Sequence, residues 1–374
     1  MTPRVIQIRL KENSHKIVVG YAVLPQLGKY LHPLKIGHDA VIITTSSINK
    51  LHGQTVCAAL KKFRFTVKVC EVPDGEKSKS LECAFKLFNE IACYDVQKKI
   101  FIVALGGGVI GDLSGFVASC YKRGIPYIQI PTTLLAQIDS AIGGKVAVDL
   151  PSGKNLVGAF YHPKLVLSDV AVLETLSLRQ IRNGLAEAIK YGMIGNRKFF
   201  EYLEENYKKI LSLTPQFLTE VVCVCSRIKT RVVMRDEKET KGIRTILNFG
   251  HTIGHAVETA LRYNQYQHGE AVAVGMGVAA DISVRMGLLR SQDALRLKQL
   301  IKAVGLPTQL KNVSVNEILQ AMAHDKKFIG KKNRFVLATG IGRVGVFEGV
   351  KTDVIQQTLD RARRSLPEIL LESN

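Results

Sequence analysis

The run Ile100-Phe101-Ile102-Val103-Ala104-Leu105 passes without a break into Gly106-Gly107-Gly108-Val109-Ile110-Gly111-Asp112. Few backbones satisfy both halves of that pattern. Six consecutive apolar residues, several β-branched, predict a strand buried on both faces. The glycines predict a tight turn that a ligand can approach closely, and Leu113 to Cys120 can continue as a helix. A buried strand that turns into a helix is the repeating unit of a parallel sheet covered by helices.

The same rhythm surrounds it. Ala40 to Thr45, Phe65 to Val72 and Tyr127 to Ile130 predict further strands, with the amphipathic segment Leu81 to Ala92 between them. Val5 to Leu10 and Lys16 to Val19 alternate around Glu12-Asn13-Ser14, which predicts an opening hairpin. From about Leu176 the pattern becomes helical: Leu178 to Tyr191, Arg197 to Ile210, Gln216 to Met234, Gly250 to Tyr263, His268 to Met286 and Ser291 to Val304. The chain has 374 residues, more than the ~250–300 that one core supports. The expectation is therefore an α/β N-terminal domain with a Rossmann-like parallel sheet over residues 1–171, followed by a mostly α-helical C-terminal domain over 172–374.

Three polar loops then leave one end of the predicted sheet. Asp74-Gly75-Glu76-Lys77-Ser78-Lys79 follows the strand ending at Val72, the glycine loop follows Leu105, and Pro131-Thr132-Thr133 follows Ile130. Ligands of open α/β sheets bind outside the strands' carboxyl ends. The glycine loop has the G-x-G-x-x-G form that brings a pyrophosphate to a helix N-terminus. It lacks the acidic residue about 20 positions on that holds a ribose in the usual fingerprint, since Pro126 to Pro131 contains none. The bland alternative is a tight turn with no ligand, and the two neighbouring loops weigh against it.

Charge narrows the class of ligand. Lysine and arginine exceed aspartate and glutamate by 52 to 32, a formal net charge of +20. The lysines are spread along the chain, without an arginine-rich tail and with few interleaved aromatics, so a solvated basic surface or an anion-binding pocket is expected rather than nucleic acid. The seven cysteines form no CxxC and most lie in apolar runs, as in a reduced cytosolic protein. Met1 to Leu10 has no apolar signal region. The longest apolar run, Ala271 to Ala280, is half the roughly 20 residues of a membrane span. Neither export nor membrane insertion is expected.

Histidines carry the second constellation. His251 and His255 are four apart on one helical face, and His268 opens the next apolar helix. That spacing suits zinc, whose catalytic sites take three protein ligands and keep one position open. A carboxylate could replace one histidine; Glu187, inside Leu185-Ala186-Glu187-Ala188-Ile189, is the candidate. Its bland alternative is an exposed helical glutamate paired with Lys190.

Taken together and in order, these segments resemble the 3-dehydroquinate synthases, sugar-phosphate cyclases of the shikimate pathway. The resemblance runs from about residue 70 to 345. It rests on Pro73 to Lys77, Gly106 to Asp112, Pro131 to Gln137, Asp139, Gly143-Gly144-Lys145, Gly153-Lys154-Asn155, Glu187 to Lys190, Asn248 to His255, His268-Gly269-Glu270 and Asp325-Lys326-Lys327. The chain departs from the family's frequent pattern at Thr45-Ser46-Ser47, where Asp-x-Asn is usual, and at Val146 to Asp149, where Thr-Gly-Val-Asn is usual.

The resemblance implies a dehydroquinate synthase-like fold and an NAD- and metal-dependent lyase of aromatic amino-acid and chorismate biosynthesis. The metal implied is zinc, with cobalt as the substitute. The cofactor is assigned to Asp74, Gly75, Glu76, Lys77, Ser78, Lys79, Gly107, Gly108, Val109, Ile110, Gly111, Asp112, Thr132, Thr133, Lys145 and Lys154, and the metal to Glu187, His251 and His268. His255 moves from the metal to the substrate. Arg123, Asp139, Lys145, Asn155, Lys190, Lys229, Arg244, Asn248, His255 and Lys326 become the substrate-contacting set.

The family's substrate, 3-deoxy-D-arabino-heptulosonate 7-phosphate, carries a carboxylate and a phosphate, which accounts for so many cations. The resemblance also implies a cytoplasmic homodimer, with Arg123 reaching toward a neighbouring subunit. The competing readings are another sugar-phosphate cyclase, which Asn248 disfavours for the inosose branch, and a metal-dependent polyol dehydrogenase. From a different class, a nucleic-acid-binding protein that retains an inactive enzyme fold would require a less intact motif set.

Overall fold

The opening hairpin forms from β1 (Arg4–Ile8) and β2 (His15–Gly20), antiparallel with Arg4 opposite Val19. The predicted strands follow as β3 (Asp39–Thr45), β4 (Thr66–Val72), β5 (Ile100–Gly106) and β6 (Tyr127–Pro131). Two strands of a second hairpin, β7 (Lys145–Leu150) and β8 (Gly153–Phe160), precede β9 (Leu165–Asp169). The main sheet has seven strands in the order β1-β2-β9-β6-β5-β3-β4. Every pairing after the opening hairpin is parallel. Every residue of β5, β6 and β9 is buried, as strands covered on both faces require, whereas β1 alternates at its edge. This is the computed structural model of the chain, and it describes residues 2–262, 264–323 and 333–363.

Short helices α1 (Leu27–Leu31), α2 (Ser46–Ile48) and α3 (Gln54–Lys61) are followed by α4 (Leu81–Tyr94) and α5 (Gly108–Cys120). Helix α5 begins five residues earlier than the sequence suggests, because packing overrides the low helix propensity of its glycines. A Cβ on Gly115 would lie 2.3 Å from Cγ1 of Val146, so the β7–β8 hairpin can pack on α5 only where a side chain is missing. Around that contact Val41, Ile43, Ile102, Leu113, Val117, Tyr127, Val146 and Val148 form one apolar core.

The helical half contains α6 (Leu178–Gly195), α7 (Arg197–Leu211), α8 (Pro215–Arg235), α9 (His251–Ala260), α10 (His268–Arg285), α11 (Ser291–Val304), α12 (Val315–Ala323) and α13 (Thr352–Arg363). It also contains a hairpin that the periodicity does not announce, β10 (Arg334–Gly340) with β11 (Arg343–Glu348), closed at Gly342 with φ +85°. By contacts the chain divides into Met1–Ile181 with Leu213–Lys238, and Arg182–Ser212 with Glu239–Asn374. Helix α8 therefore belongs to the unit of the sheet. Nearly all of α10 is buried, which explains its apolar run without a bilayer. No described helix is long and apolar enough to cross a membrane.

Candidate functional site

In the first unit, helix α5 starts at Gly108 with extended Gly107 before it and no side chain capping its first N–H groups. An uncapped helix start presents several N–H donors and the positive end of the helix dipole to an anion. The neighbouring loops press close to it. Thr132 N donates to the Gly106 carbonyl at 3.0 Å. A Cβ on Gly107 would come within 3.2 Å of Thr133, and one on Gly108 within 3.1 Å of Ser140 Oγ.

The predicted cofactor residues beside it are tied together by charge. Lys79, almost fully buried, donates to Asp112 Oδ2 at 2.5 Å and also to the Asn155 side-chain oxygen. Asn155, at φ +58°, donates its N–H to Asp149 Oδ1 at 2.8 Å. Lys154 pairs with Glu76 at 3.2 Å. Burial pushes the Asp112 carboxyl up to about 6, against the opposing pull of Lys79. At the departure from the family pattern, Ser47 Oγ donates to Asp74 Oδ1 at 2.6 Å, and Thr45 lies 3.0 Å from Ser47. Those hydroxyls, Ser47 above Thr45, hold the Asp74 carboxyl below its usual range.

Asp139 rides on a single π-helical turn, Ala136–Ser140, and meets Lys229 of α8. Lys229 Nζ donates to Asp139 Oδ1 at 2.7 Å and to the Asp139 carbonyl at 2.9 Å. Such turns aim a side chain off the regular helical ladder. Arg123, by contrast, stands on an exposed turn at φ +66°.

In the second unit the residues converge on Glu187. Gly250, at φ +81°, sets the start of α9 against α10, and a Cβ on Gly275 would lie 2.1 Å from the Gly250 carbonyl oxygen. The two helices therefore cross backbone to backbone, with His251 opening one and His268 opening the other. The start of α10 is fixed to α6, because Gly269 N donates to Asn183 Oδ1 at 2.5 Å. Glu187, four residues further along α6, thus faces both imidazoles.

Glu187 is fully buried rather than exposed on its helix, and its carboxylate pairs with buried Lys190. Its other oxygen, Oε1, lies 3.4 Å from His251 Nε2 and 3.7 Å from His268 Nε2. Among the described residues no hydrogen-bond donor satisfies that oxygen. Three donors bound to one ion at ~2.0–2.1 Å in a tetrahedron stand about 3.4 Å apart, so the set fits zinc or an ion of its size. Burial, reinforced by Lys190, His268 and His255, holds His251 well below the ordinary imidazole range, which keeps it neutral as a ligand must be.

The His255 ring lies 5.2 Å from that of His251 and 5.9 Å from that of His268, within the cluster. Glu258, His255 and His268 form a second set of donors close enough to share an ion. Arg244, buried, and Asn248 lie on the turn Ile243–Asn248 that leads into the cluster. Lys326 falls outside the described residues. Sequence reasoning missed Glu258, although its place seven residues after His251 puts it on the same helical face. It also missed Asp149 and Ser140, for which pattern offers no signal.

The sequence comparisons with known proteins agree on one family. A sequence model of the 3-dehydroquinate synthase N-terminal domain matches residues 69–183, and one of the C-terminal domain matches residues 184–328. The 3-dehydroquinate synthase of Desulforamulus reducens is 46% identical over 347 residues, covering 92% of this chain and 96% of that one. That of Nitrosococcus oceani is 42% identical over 361 residues, covering 96% and 99%. A solved structure of 2-deoxy-scyllo-inosose synthase complexed with carbaglucose-6-phosphate, NAD+ and Co2+ superposes with a TM-score of 0.87 at 28% identity, covering 96% of this chain and all of that one. The 2-epi-5-epi-valiolone synthase of Streptomyces hygroscopicus, with NAD+ and Zn2+ bound, gives 0.85 at 26% identity, covering 95% and 98%.

Proposed function

The chain belongs to the 3-dehydroquinate synthase family, and from that premise we propose that it converts 3-deoxy-D-arabino-heptulosonate 7-phosphate into 3-dehydroquinate and phosphate. One substrate hydroxyl is oxidised, which acidifies the neighbouring carbon and permits loss of phosphate. Reduction, ring opening and an internal aldol closure follow. The net reaction is a phosphate-eliminating cleavage of a carbon–oxygen bond in the shikimate pathway of the cytoplasm. When bound, NAD accepts and returns a hydride, and a divalent metal, zinc or cobalt, supplies Lewis acidity at the substrate hydroxyls.

The chain's own residues divide the remaining work. The loops Asp74 to Lys79 and Gly107 to Asp112, with Thr132, Thr133, Lys145 and Lys154, hold the dinucleotide, its pyrophosphate at the start of α5. Glu187, His251 and His268 would hold the metal. Lys145, Lys190, Lys229, Arg244, Arg123 and Lys326 answer the substrate's carboxylate and phosphate with charge-assisted bonds, and Asn155 and Asn248 orient its hydroxyls. Asp139 holds the Lys229 ammonium in place. His255 exchanges a proton with the substrate beside the metal. The α/β part, residues 1–171, holds the cofactor and contributes Arg123, Lys145 and Asn155 to the substrate, and residues 172–374 hold the metal and the remaining substrate contacts, in a protein that works as a homodimer.

The observation that carries this reading is the buried Glu187 oxygen facing two imidazole nitrogens at metal-ligand spacing. The test is to incubate the purified protein with the heptulosonate phosphate, NAD and zinc, and to follow phosphate and 3-dehydroquinate. Release of both without net NADH is expected. With the metal bound, absence of both products refutes the assignment, and steady NADH accumulation identifies a polyol dehydrogenase instead.

A further inference from the structure

The two imidazoles that face Glu187 are held in the same sense. His251 turns Nε2 toward Glu187 Oε1 at 3.4 Å, and its Nδ1 lies 3.2 Å from the Phe249 carbonyl oxygen. His268 turns Nε2 toward the same oxygen at 3.7 Å, and its Nδ1 lies 3.4 Å from Glu258 Oε1. A ring with one nitrogen on a metal and the other N–H on an acceptor has its tautomer and orientation fixed, and becomes a better donor. The backbone does this for His251. His268 stands at the very start of α10, where no preceding turn of helix supports it. Its outer partner has to come from another element.

We propose that Glu258 is the positioning residue that fixes His268 through Nδ1, and that it stays outside the metal's own ligand set. The assignment rests on the metal centre proposed above. Glu258 lies two helical turns after His251 on α9, so one rigid helix carries a ligand at its start and the acceptor for another ligand further along. Its side chain is only 11% exposed, which makes the carboxylate costly to keep unless it accepts hydrogen bonds. A slight turn of the His268 ring brings the 3.4 Å separation into hydrogen-bond range.

The rival arrangement places an ion on Glu258, His255 and His268. It would take Nδ1 of His268 and leave Nε2 turned uselessly toward Glu187. It would also leave Glu187 Oε1, which has no hydrogen-bond donor among the described residues, still without a partner. The Glu187 set satisfies that oxygen and leaves every Nδ1 with an oxygen to bind.

The test uses Co2+ on the full chain, with affinity measured by chelator competition and the visible spectrum of the bound ion recorded. Glu258→Ala should weaken Co2+ binding about 10–100-fold. Glu258→Gln, which keeps an acceptor oxygen at nearly the same place, should recover most of that loss, and its bound Co2+ should keep the wild-type band intensities. Wild-type affinity in Glu258→Ala overturns the proposal. So does a Gln variant as weak as the Ala variant, or a metal loss as complete as that of His251→Ala, which would make Glu258 a ligand. If Glu258→Ala fails to fold by circular dichroism, the Gln variant decides by its spectrum: altered bands overturn the proposal and unchanged bands support it. Unchanged binding in His251→Ala would refute the metal centre itself, a result separable from all the others.

Discussion

The loops at the carboxyl end of the sheet and the histidine cluster on α9 and α10 both concentrate charge, and they do so in opposite ways. In the first, three cations already have their anions: Lys79 with Asp112, Lys154 with Glu76, Lys229 with Asp139. A ligand there exchanges one set of bonds for another, and its affinity is spread over many contacts. In the second, one carboxylate oxygen faces two imidazole nitrogens and has no hydrogen-bond donor among the described residues. The difference teaches where single substitutions should matter. Loss of one partner among the loops is shared by its neighbours, whereas the cluster depends on each of three atoms.

Glu187→Gln strikes the cluster at its common atom and should show the largest effect. The loss of metal affinity should exceed the ~10–100-fold typical of an outer partner, with turnover falling in step and excess zinc restoring little of it. Equilibrium dialysis with metal analysis gives the first quantity, and phosphate release the second. Retention of stoichiometric metal would erase the contrast between the two regions.

His255→Ala sharpens the boundary of the cluster. It should retain metal while turnover falls by roughly 10²–10⁴-fold, the range for loss of a proton-transferring side chain. Metal loss in this variant would return His255 to the ligand set, as the bare i, i+4 spacing suggests.

That spacing shows what sequence can and cannot say. The periodicity of Ile100 to Leu105 and its neighbours was enough to place β3 to β6 and the three loops, because buried parallel strands leave an unmistakable apolar run. It could not place β9 among them, since Leu165–Asp169 is short and its pairing with β2 and β6 spans most of the unit. The β7–β8 hairpin was invisible because β8 is largely exposed and has no apolar face to read. Among site residues, His251 and His268 stand out by type, but Glu187 is brought to face them only through the backbone contacts at Gly250, Gly269 and Gly275, which no spacing encodes. The resemblance supplied that ligand set, and the geometry gives its physical reason.

Lys79→Met probes the loops at their most buried charge. Removing one member of a fully buried ion pair costs ~3–5 kcal/mol, but the Asp112 side chain is 21% exposed, so about 2 kcal/mol is expected from denaturant titration. The pH dependence has a defined sign. Asp112 titrates near 6 in the folded chain, above its value when unfolded. The folded state therefore holds the extra proton, and this group's contribution to stability falls as pH rises from about 4 to about 6. Without Lys79 the upper edge of that window should move to higher pH while its lower edge stays. Asp112→Asn in the same background should remove the window and recover part of the loss. A Lys79→Met variant as stable as wild type, with an unchanged pH profile, would mean that the pairing has no energetic weight.

Ser47→Ala gives the smallest expected effect and tests the comparison where the chain departs from its family. Asp74 is exposed, and its carboxyl is held low chiefly by the Ser47 hydroxyl. Loss of that bond should raise the Asp74 pKa toward its ordinary value, readable by NMR titration, with little change in global stability. One hydrogen bond is worth ~0.5–1.5 kcal/mol, so NAD affinity measured by calorimetry should fall by no more than about tenfold, because the remaining loop contacts stay in place. A loss of NAD binding as severe as the metal loss in Glu187→Gln would show that the cofactor loops, too, hang on a single contact.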